Sequence, residues 1–481
     1  MLDSPALATL QDVRRLLAAH DPEGLLAPCG LGDLVVGSDA LHELLATVLR
    51  LAGDGLGRRP RVTLLVDETA ILRQGRDVKS RVESDLADRC EVTRVTLSDG
   101  SPELHVVEEM VELARAGCAG ADVVVALGGG TISDLGKLAA DGADVRLVTV
   151  MTAASVDGYT DDVSVTLTQG VKRTIPSRWP DVVLGDAETV AGAPPRMTRS
   201  GYGEMTSMYV APADWRLAAL VGAGPAFHPG PVALLGALAD QLDSCAPGVA
   251  ASEPAAVQTL TWALALRGIA TGVAGTTACL SGVEHLVSHM LDVRAAQLGS
   301  ATGLHGEQVG VGSVLAACAW EMVHERLSTT PTARVRAVEL DPQRAESRVR
   351  AAFEGLDPTG RIGTECWSDY ARKLGRLRAA RPQADAVLAE WQAHRPSLDA
   401  LLRPSDVIAR GLRSAGAPVL YADLGSAVDA ATGRWALQHC AFMRDRFTVV
   451  DLLNVLGWWE DSDVDEVLAR AEVAAAAGVT A

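Results

Sequence analysis

The sequence predicts an α/β protein in which a Rossmann-like parallel-sheet domain, residues 1–193, precedes an all-helical domain, residues 194–481. In the first part, short runs of β-branched residues alternate with amphipathic segments, which is the pattern of strands joined by right-handed helical crossovers. Three consecutive glycines follow one of these runs, where a strand would turn into a helix. From Pro194 onward the strand-like alternation disappears, and Ala-, Leu- and Arg-rich segments broken by Gly and Pro predict helices.

The apolar pattern assigns the individual elements. Four runs of mainly apolar and β-branched residues predict buried parallel strands, at 61–67, 91–97, 121–127 and 144–150. Residues 101–118 carry apolar side chains at roughly helical spacing, which predicts a crossover helix. In the helical half, the polar stretch 325–400 predicts either an inserted helical hairpin or a partly mobile excursion.

Composition argues against several partners and locations. The 481 residues carry a formal charge of −18, so binding to nucleic acid or to an anionic membrane is not expected. The first residues lack the apolar core of a signal peptide, and three prolines interrupt the longest uncharged stretch, 217–239. The eight cysteines show no paired spacing, which favours reduced thiols. We therefore expect a cytoplasmic protein without membrane insertion.

The glycine triplet Gly128, Gly129 and Gly130 is the first candidate binding element. Glycines allow a ligand to approach the backbone closely, and the N-terminus of the following helix would offer free N–H groups to a phosphate. The alternative is a tight turn that requires only a positive φ angle. Asp134 and Lys137 follow in the first turns of the predicted helix, and their charges favour a ligand site.

A possible metal site lies in the helical half. His285 and His289 are four residues apart and would share one helical face, while Glu204 and His305 flank them in the chain. Two imidazoles and a carboxylate with one open position are a usual arrangement for catalytic zinc or another divalent ion. For any single histidine, a place on a helix surface or in a satisfied core is the alternative.

Several segments together resemble one family, in the same order along the chain. These segments are GGGTISDLGK (128–137), MTAASVDGYTDD (151–162), SGYGEMTSMYVAPADWRLA (200–218), SGVEHLVSHMLD (281–292), HGEQVGVG (305–312) and MRDRFTVVDLL (443–453). They are similar to those of sn-glycerol-1-phosphate dehydrogenases, particularly the metal-dependent bacterial branch. That family belongs to the iron-containing alcohol dehydrogenase and dehydroquinate synthase-like superfamily. The last segment indicates packing and helix capping without a chemical role.

The resemblance implies a metal-dependent oxidoreductase that uses NAD(P)H to reduce dihydroxyacetone phosphate to sn-glycerol 1-phosphate, working as a homodimer or larger homo-oligomer. It implies that a divalent ion (Zn, Ni or Fe) binds Glu204, His285 and His305, and that His289 and Asp157 contact substrate and take part in catalysis. Further substrate contacts would come from Lys137 and Glu204. The implied cofactor residues are Gly128, Gly129, Gly130, Asp134, Thr152 and Ser155.

Three positions depart from the family pattern. Glu204 stands where these dehydrogenases usually have Asp, Met208 replaces a usual Lys, and Asp161 replaces a usual Ser. Losing a cation and gaining an anion disfavour a phosphate, so we expect dihydroxyacetone phosphate to be a poor substrate or another polyol or ketone to replace it. Glu204 is also typical of an alternative function, a sugar-phosphate cyclase of the dehydroquinate synthase type. A noncatalytic nucleotide- or metal-binding homologue is a second alternative.

Asp67 bears on the choice of cofactor because it ends a predicted strand. An acidic side chain there can accept hydrogen bonds from an adenosine ribose and repel a 2′-phosphate, which predicts a preference for NADH over NADPH. Capping the N-terminus of the next helix is the alternative for this residue.

Overall fold

The computed structural model describes residues 7–53, 56–101, 104–168, 171–300, 303–330, 333–426 and 428–477, with the backbone alone at 168, 171 and 172. The chain forms two compact units, Met1–Tyr202 with Ala233–Gly275, and Gly203–Val232 with Thr276–Ala481. These units differ from the division at residue 193 that the sequence predicts. Residues 233–275, expected in the helical domain, belong with the sheet.

The first unit contains a six-stranded, fully parallel sheet with the strand order β1-β10-β7-β6-β2-β5. Two short antiparallel pairs, β3 with β4 and β8 with β9, lie outside it. The strands are β1 (Asp33–Gly37), β2 (Arg61–Asp67), β3 (Leu72–Arg73), β4 (Arg76–Asp77), β5 (Glu91–Leu97), β6 (Val123–Gly128), β7 (Arg146–Met151), β8 (Val163–Thr168), β9 (Val171–Pro176) and β10 (Val182–Asp186). The four predicted strands are therefore confirmed as the parallel strands β2, β5, β6 and β7, but β5 lies at the edge of the sheet and is not buried as predicted, except at Leu97.

Helices cover both faces of this sheet. The helices up to residue 191 are α1 (Leu10–His20), α2 (Leu44–Ala52), α3 (Val78–Ala87), α4 (Glu108–Cys118), α5 (Gly130–Ala143) and α6 (Ala187–Ala191). On one face Val62 and Leu64 pack with Val82 of α3, and on the other Val124 packs with Met110 of α4. Because both faces are covered, the central strands read as continuous apolar runs. The predicted crossover helix at 101–118 is confirmed as the shorter α4.

The remaining helices follow from residue 195. They are α7 (Pro195–Met205), α8 (Ala211–Leu220), α9 (Pro229–Gly236), α10 (Ala239–Ala250), α11 (Pro254–Ala274), α12 (Val283–Leu298), α13 (His305–Thr329), α14 (Pro342–Glu354), α15 (Arg361–Ala379), α16 (Arg381–Ala389), α17 (Trp391–Asp399), α18 (Ser405–Ser414), α19 (Ala430–His439), α20 (Val449–Leu456) and α21 (Asp461–Ala477). Among the described residues, none of these helices combines the length and apolar character that a membrane span requires. The second unit is thus a helical body, as expected for most of the C-terminal half.

The polar stretch 325–400 forms helices that pack into the second unit. Phe353 of α14, Leu374 of α15 and Leu398 of α17 are each 4% exposed or less. Each helix therefore buries an apolar face, and its charges lie on the opposite side. The stretch is helical, as the first of the two predictions has it, but it forms the four packed helices α14–α17 and not a single hairpin.

Candidate metal centre and cofactor turn

Three predicted ligands converge in the second unit. Glu204 lies near the end of α7, His285 in the first turn of α12, and His305 opens α13. One ligand atom from each lies within 4.8 Å of the others. The Glu204 carboxylate is 3.2 Å from His285 Nε2 and 3.7 Å from His305 Nε2. The sequence prediction of this trio is geometrically consistent with a divalent ion, since two imidazole nitrogens and a carboxylate suit such an ion.

Close backbone packing brings the helix of Glu204 against that of His305. A Cβ atom at Gly203 would lie 2.2 Å from the carbonyl oxygen of Gly306, so only glycine fits there. The approach places the neighbouring Glu204 beside the start of α13. The carboxylate is 2% exposed, and burial strengthens its interaction with a cation.

Two further residues fix which nitrogen each imidazole presents. His285 Nδ1–H donates to Glu284 Oε1 at 2.9 Å, because a carboxylate can only accept. Ser288 donates its hydroxyl proton to Gln308 Oε1 at 2.6 Å, so its oxygen accepts from His305 Nδ1–H at 2.9 Å. Both Nε2 atoms then face Glu204, and His285 Nε2 is hydrogen-bonded to Glu204 Oε1 at 3.2 Å. A bound ion would take the place of the proton in that bond. Although burial opposes protonation, Glu204 and Glu284 raise the pKa of His285 above its ordinary value.

The sequence motifs predicted no role for Glu284, Ser288 or Gln308. A usable signal was present, because each lies within four residues of a candidate ligand on the same helix. His289, predicted to contact substrate, lies on α12 with its ring centroid 6.0 Å from that of His305 and 6.4 Å from that of His285. The structure therefore brings His289 beside the three ligands.

The glycine triplet lies at the carboxyl end of β6, at the point where the strand order of the sheet reverses. From β2 the chain continues to β5 on one side, and from β6 to β7 on the other. Ligands of open α/β sheets bind at this kind of position. Asp67 and Gly128 are the last residues of β2 and β6, and Thr152 directly follows the adjacent strand β7. The sheet thus brings three of the predicted cofactor segments to one edge.

The backbone conformation of Gly128, Gly129 and Gly130 favours a phosphate-binding turn over a turn that needs a positive φ angle. None of these three described glycines has a positive φ angle, so the turn alternative in its predicted form is wrong. Cβ atoms at Gly128 and Gly130 would meet Ile132 and Val156, whereas nothing lies within 4 Å of the position at Gly129. The N-cap residue of α5 is Gly129, which has no side chain to bond the first helix amides. This open helix N-terminus fits a dinucleotide phosphate.

The sequence predicts that Asp134 contacts the cofactor and Lys137 the substrate. In the structure, both side chains are engaged by other groups of the protein. Lys137 is fully buried, and its Nζ lies 2.7 Å from Asp161 Oδ1, 3.2 Å from Asp134 Oδ1 and 3.0 Å from the carbonyl oxygen of Gly158. It also donates to the carbonyl of Val163. Although burial disfavours the ammonium, Asp161 and Asp134 raise the pKa of Lys137 above its ordinary value. We name Asp134, Lys137 and Asp161 the lysine cluster.

The lysine cluster corrects two predictions. Its ammonium is enclosed by protein acceptors, so Lys137 is not presented to a substrate. Asp161, predicted to repel a phosphate, is 4% exposed and pairs with Lys137. Met208 is also buried, at 7% exposure. Asp161, the acid that replaces the usual Ser of the family, therefore stabilises the packing of α5 against residues 158–165.

Asp157 lies in the same segment and pairs with Arg267 of α11. Its side chain is 19% exposed, whereas that of Arg267 is 3% exposed. Thr160 Oγ1 donates to the carbonyl of Ala265 at 2.6 Å, so α11 anchors this segment twice. Thr152 and Ser155 are buried at 6% and 7% exposure. Of these residues, Asp157 is the most accessible to a small molecule.

Asp67 is partly neutralised by Lys79. Lys79 Nζ lies 2.6 Å from Asp67 Oδ1, and the Thr69 amide and hydroxyl donate to the two carboxylate oxygens at 3.1 Å and 2.9 Å. A carboxylate has about four lone-pair positions, so about one remains for a ribose hydroxyl. The capping alternative is wrong, because Asp77 caps the next helix, α3.

The sheet, the helical unit and the metal-ligand trio define the class of the iron-containing alcohol dehydrogenases. Residues 35–194 match the profile described as iron-containing alcohol dehydrogenase. The fold is similar to that of a glycerol dehydrogenase from Schizosaccharomyces pombe, with a TM-score of 0.60 and 14% identity over 94% of this chain and 92% of that one. At this identity the likeness concerns the fold alone.

Relatives narrow the class to a family. A glycerol-1-phosphate dehydrogenase (NAD(P)+) from Bacillus licheniformis is 25% identical over 447 residues, covering 92% of this chain and 94% of the relative. One from Thermococcus sibiricus is 31% identical over 267 residues, covering 54% and 73%. The chain belongs to the glycerol-1-phosphate dehydrogenase family of the iron-containing alcohol dehydrogenases. It is an oxidoreductase of an NAD(P)-dependent, metal-binding family, which confirms the predicted enzyme class.

Proposed function

We propose that the enzyme reduces a small ketone or ketose phosphate with hydride from NAD(P)H, aided by a divalent ion on Glu204, His285 and His305. The observation that carries the proposal is the convergence of these ligand atoms within 4.8 Å, with Nδ1 of both imidazoles bonded to other protein groups so that each Nε2 faces Glu204. When bound, such an ion supplies Lewis-acid stabilisation of the negative charge that develops on the carbonyl oxygen.

The residues of the chain have separate tasks in this proposal. The open N-terminus of α5 at Gly129 and Gly130 binds the dinucleotide phosphates, and Asp67 accepts a hydrogen bond from the ribose. His289 lies beside the ligand trio, where it orients a substrate hydroxyl and delivers the proton that the reduced oxygen needs. Asp157 binds a second hydroxyl, with its carboxylate held by Arg267.

For the substrate, we propose that phosphate recognition does not use Lys137. The sequence argument against dihydroxyacetone phosphate combined a lost lysine at Met208 with a gained acid at Asp161. Pairing of Asp161 with Lys137 removes the second part. The first part still favours weak binding of dihydroxyacetone phosphate, because Met208 brings no charge to a phosphate where the family usually has a lysine.

The test is a substrate panel with the protein stripped of metal and then loaded separately with Zn2+, Ni2+ or Fe2+. Oxidation of NADH and NADPH is followed with dihydroxyacetone phosphate, dihydroxyacetone and other ketose phosphates. We expect turnover with at least one ketone, loss of turnover after stripping, and none in the Glu204→Ala, His285→Ala variant. Absence of ketone reduction in every metal form would reject the proposal.

A cyclase of the dehydroquinate synthase type remains a second candidate, because Glu204 is typical of that group. Such an enzyme reduces and reoxidises its nucleotide within one turnover. Consumption of a sugar phosphate without net oxidation of NADH would support the cyclase and reject the dehydrogenase.

A further inference from the structure

Asp214 of α8 connects three helices of the second unit through one buried carboxylate. It is 1% exposed, and its Oδ2 accepts the backbone N–H of Val283 at 3.0 Å. Its Oδ1 accepts the backbone N–H of Val449 at 2.9 Å and the indole N–H of Trp320 at 3.1 Å. Val283 and Val449 are the first residues of α12 and α20, and Trp320 belongs to α13. The carboxylate thus satisfies helix N-terminal amides that would otherwise be buried without partners.

Two of these three helices carry the proposed metal ligands. Val283 precedes His285 by two residues on α12, and α13 begins with His305. The start of α12 is fixed further by Glu284, whose Oε1 accepts the Gly282 amide at 2.6 Å and the His285 Nδ1–H at 2.9 Å. A shift of Val283 relative to Asp214 would therefore move the imidazole of His285.

The Asp214 side chain is tightly packed against the backbone at Gly282. A Cβ atom at Gly282 would lie 2.4 Å from Asp214 Oδ2, so the carboxylate presses directly on the backbone that precedes α12. Tightly packed elements respond to a lost contact with a displacement of the whole element. Asp214 is therefore placed to control the position of α12 and not only its stability.

We infer that Asp214 is a positioning residue of the metal centre, which holds α12 and α13 so that His285 and His305 present their Nε2 atoms to Glu204. This inference rests on the proposed metal site. Asp214 itself touches none of the three ligands in its hydrogen bonds. Its effect passes through the first turn of α12 and through Trp320.

The substitution Asp214→Asn tests the role with almost no change in shape. An asparagine has one acceptor oxygen and one amide group that can only donate. If the oxygen keeps the bonds from Val449 and Trp320, the amide group faces the N–H of Val283, and the bond to α12 is lost. The variant therefore releases the helix that carries His285.

Asp451 of α20 offers a matched control. It is 2% exposed, and like Asp214 it accepts three hydrogen bonds, from the Thr448 amide and hydroxyl at 2.9 Å each and from Lys373 Nζ at 2.6 Å. These bonds join α20 to α15 and involve neither α12 nor α13. Asp451→Asn therefore reproduces the loss of a buried carboxylate without releasing a ligand helix.

The measurement is the affinity of the stripped full-length protein for Zn2+, by competition with a chromophoric chelator, together with the Tm of each metal-free variant. Changes outside the ligand shell typically cost about 10–100-fold in metal affinity, and we expect Asp214→Asn to fall in this range. Asp451→Asn should lower Tm but change Zn2+ affinity by less than about 3-fold. Equal Zn2+ affinity in the parent and Asp214→Asn, or equal losses in both variants, would overturn the inference.

Trp320→Phe provides a milder variant if Asp214→Asn yields too little folded protein. It keeps an aromatic ring but removes the N–H that links α13 to Asp214, so a smaller loss of Zn2+ affinity is expected and an unchanged affinity would overturn the role. His305→Ala distinguishes a failure of the proposed metal site from a failure of the positioning role of Asp214. Zn2+ binding that is absent in the parent, or unaffected by His305→Ala, would reject the metal site itself. Binding lost in His305→Ala but kept in Asp214→Asn would reject only the positioning role.

Discussion

The lysine cluster of the first unit and the ligand trio of the second are both buried groups of charged or titratable side chains, but their centres differ. In the lysine cluster, Nζ of Lys137 occupies the centre and both carboxylates of Asp134 and Asp161 face it. In the ligand trio, the centre is bounded by the Glu204 carboxylate and by two imidazole nitrogens whose other ring nitrogens are held by Glu284 and Ser288.

This difference shows how a structural site can be told from a chemical one. The carboxylates are deeply buried in both, since Asp161 is 4% exposed and Glu204 2%, but the His305 side chain is 25% exposed whereas Lys137 is fully buried. A buried ammonium that is surrounded by protein acceptors stabilises packing and is not offered to a ligand. Imidazoles whose Nδ1 atoms are already bonded present Nε2 for an external electrophile. The partners of each group, together with the access to its centre, indicate its role.

The largest expected effect is at His305. His305→Ala removes one of three ligands, so Zn2+ affinity and turnover should each fall by more than about 1000-fold, beyond the cost of changes outside the ligand shell. Metal content after dialysis and steady-state kinetics measure the two quantities. His324→Ala is the matched control, because His324 lies on the same helix and is outside the trio. Stoichiometric metal and full activity in His305→Ala would place the metal site elsewhere.

The next prediction concerns the lysine cluster. Lys137→Met leaves two buried carboxylates without their cation, which typically costs about 3–5 kcal/mol of unfolding free energy. Urea unfolding measures the loss, and Zn2+ affinity should remain that of the parent. Arg58→Met, which removes a surface pair with Asp122 in the same unit, should change the unfolding free energy far less, because solvent screens an exposed pair. An unchanged stability with a raised KM for the ketone would instead restore Lys137 as a substrate contact.

The sequence predicted four of the six strands of the parallel sheet and the ligand trio because both depend on local patterns. The buried strand β10 was missed, because its apolar run is only three residues long before Gly185. Apolar runs such as β6 are visible in the chain, and the ligands lie in recognisable segments. The role of Lys137 could not be predicted, because its partner Asp161 lies 24 residues further on and is chosen by tertiary packing. Edge strand β1 was missed because its apolar pattern is short and half-buried. Helix α11 was assigned to the other domain because its composition does not differ from that of its neighbours, whereas its bonds to residues 157–160 place it with the sheet.

His439, which lies outside the lysine cluster and the ligand trio, tests whether burial can keep a histidine side chain uncharged. His439 of α19 packs against Trp435 and Phe442, and burial, with help from Arg348 and Arg434, lowers its pKa to about 4. In the unfolded chain His439 has its ordinary pKa near 6.5, so between pH 6.5 and 4 it is protonated there but not in the folded protein. Stability should therefore fall as the pH drops from about 6.5 to 4.

Substitution of this histidine isolates its share of the pH dependence. Between pH 7 and pH 5, His439→Phe should reduce the loss of unfolding free energy by about 1–2 kcal/mol. Urea unfolding at the two pH values gives the comparison, and the exposed His20→Phe should leave it unchanged. An identical pH dependence in the parent and His439→Phe would contradict the lowered pKa.

The smallest effect concerns the carboxylate of Asp67, which the sequence linked to a preference for NADH. Lys79 compensates this charge at 2.6 Å, as Lys137 compensates Asp161, but the Asp67 side chain is 17% exposed and keeps an acceptor position for a ribose. Lys79→Met should restore the full negative charge and raise the ratio of kcat/KM for NADH over NADPH by about 5-fold, or about 1 kcal/mol. Because the ratio is measured on one preparation, it does not depend on the fraction of folded enzyme. Adding Asp67→Asn to Lys79→Met should return the ratio to the parent value or below it. A ratio that neither substitution moves would mean that the cofactor ribose lies away from Asp67, and the lysine would then serve packing alone, as in the lysine cluster.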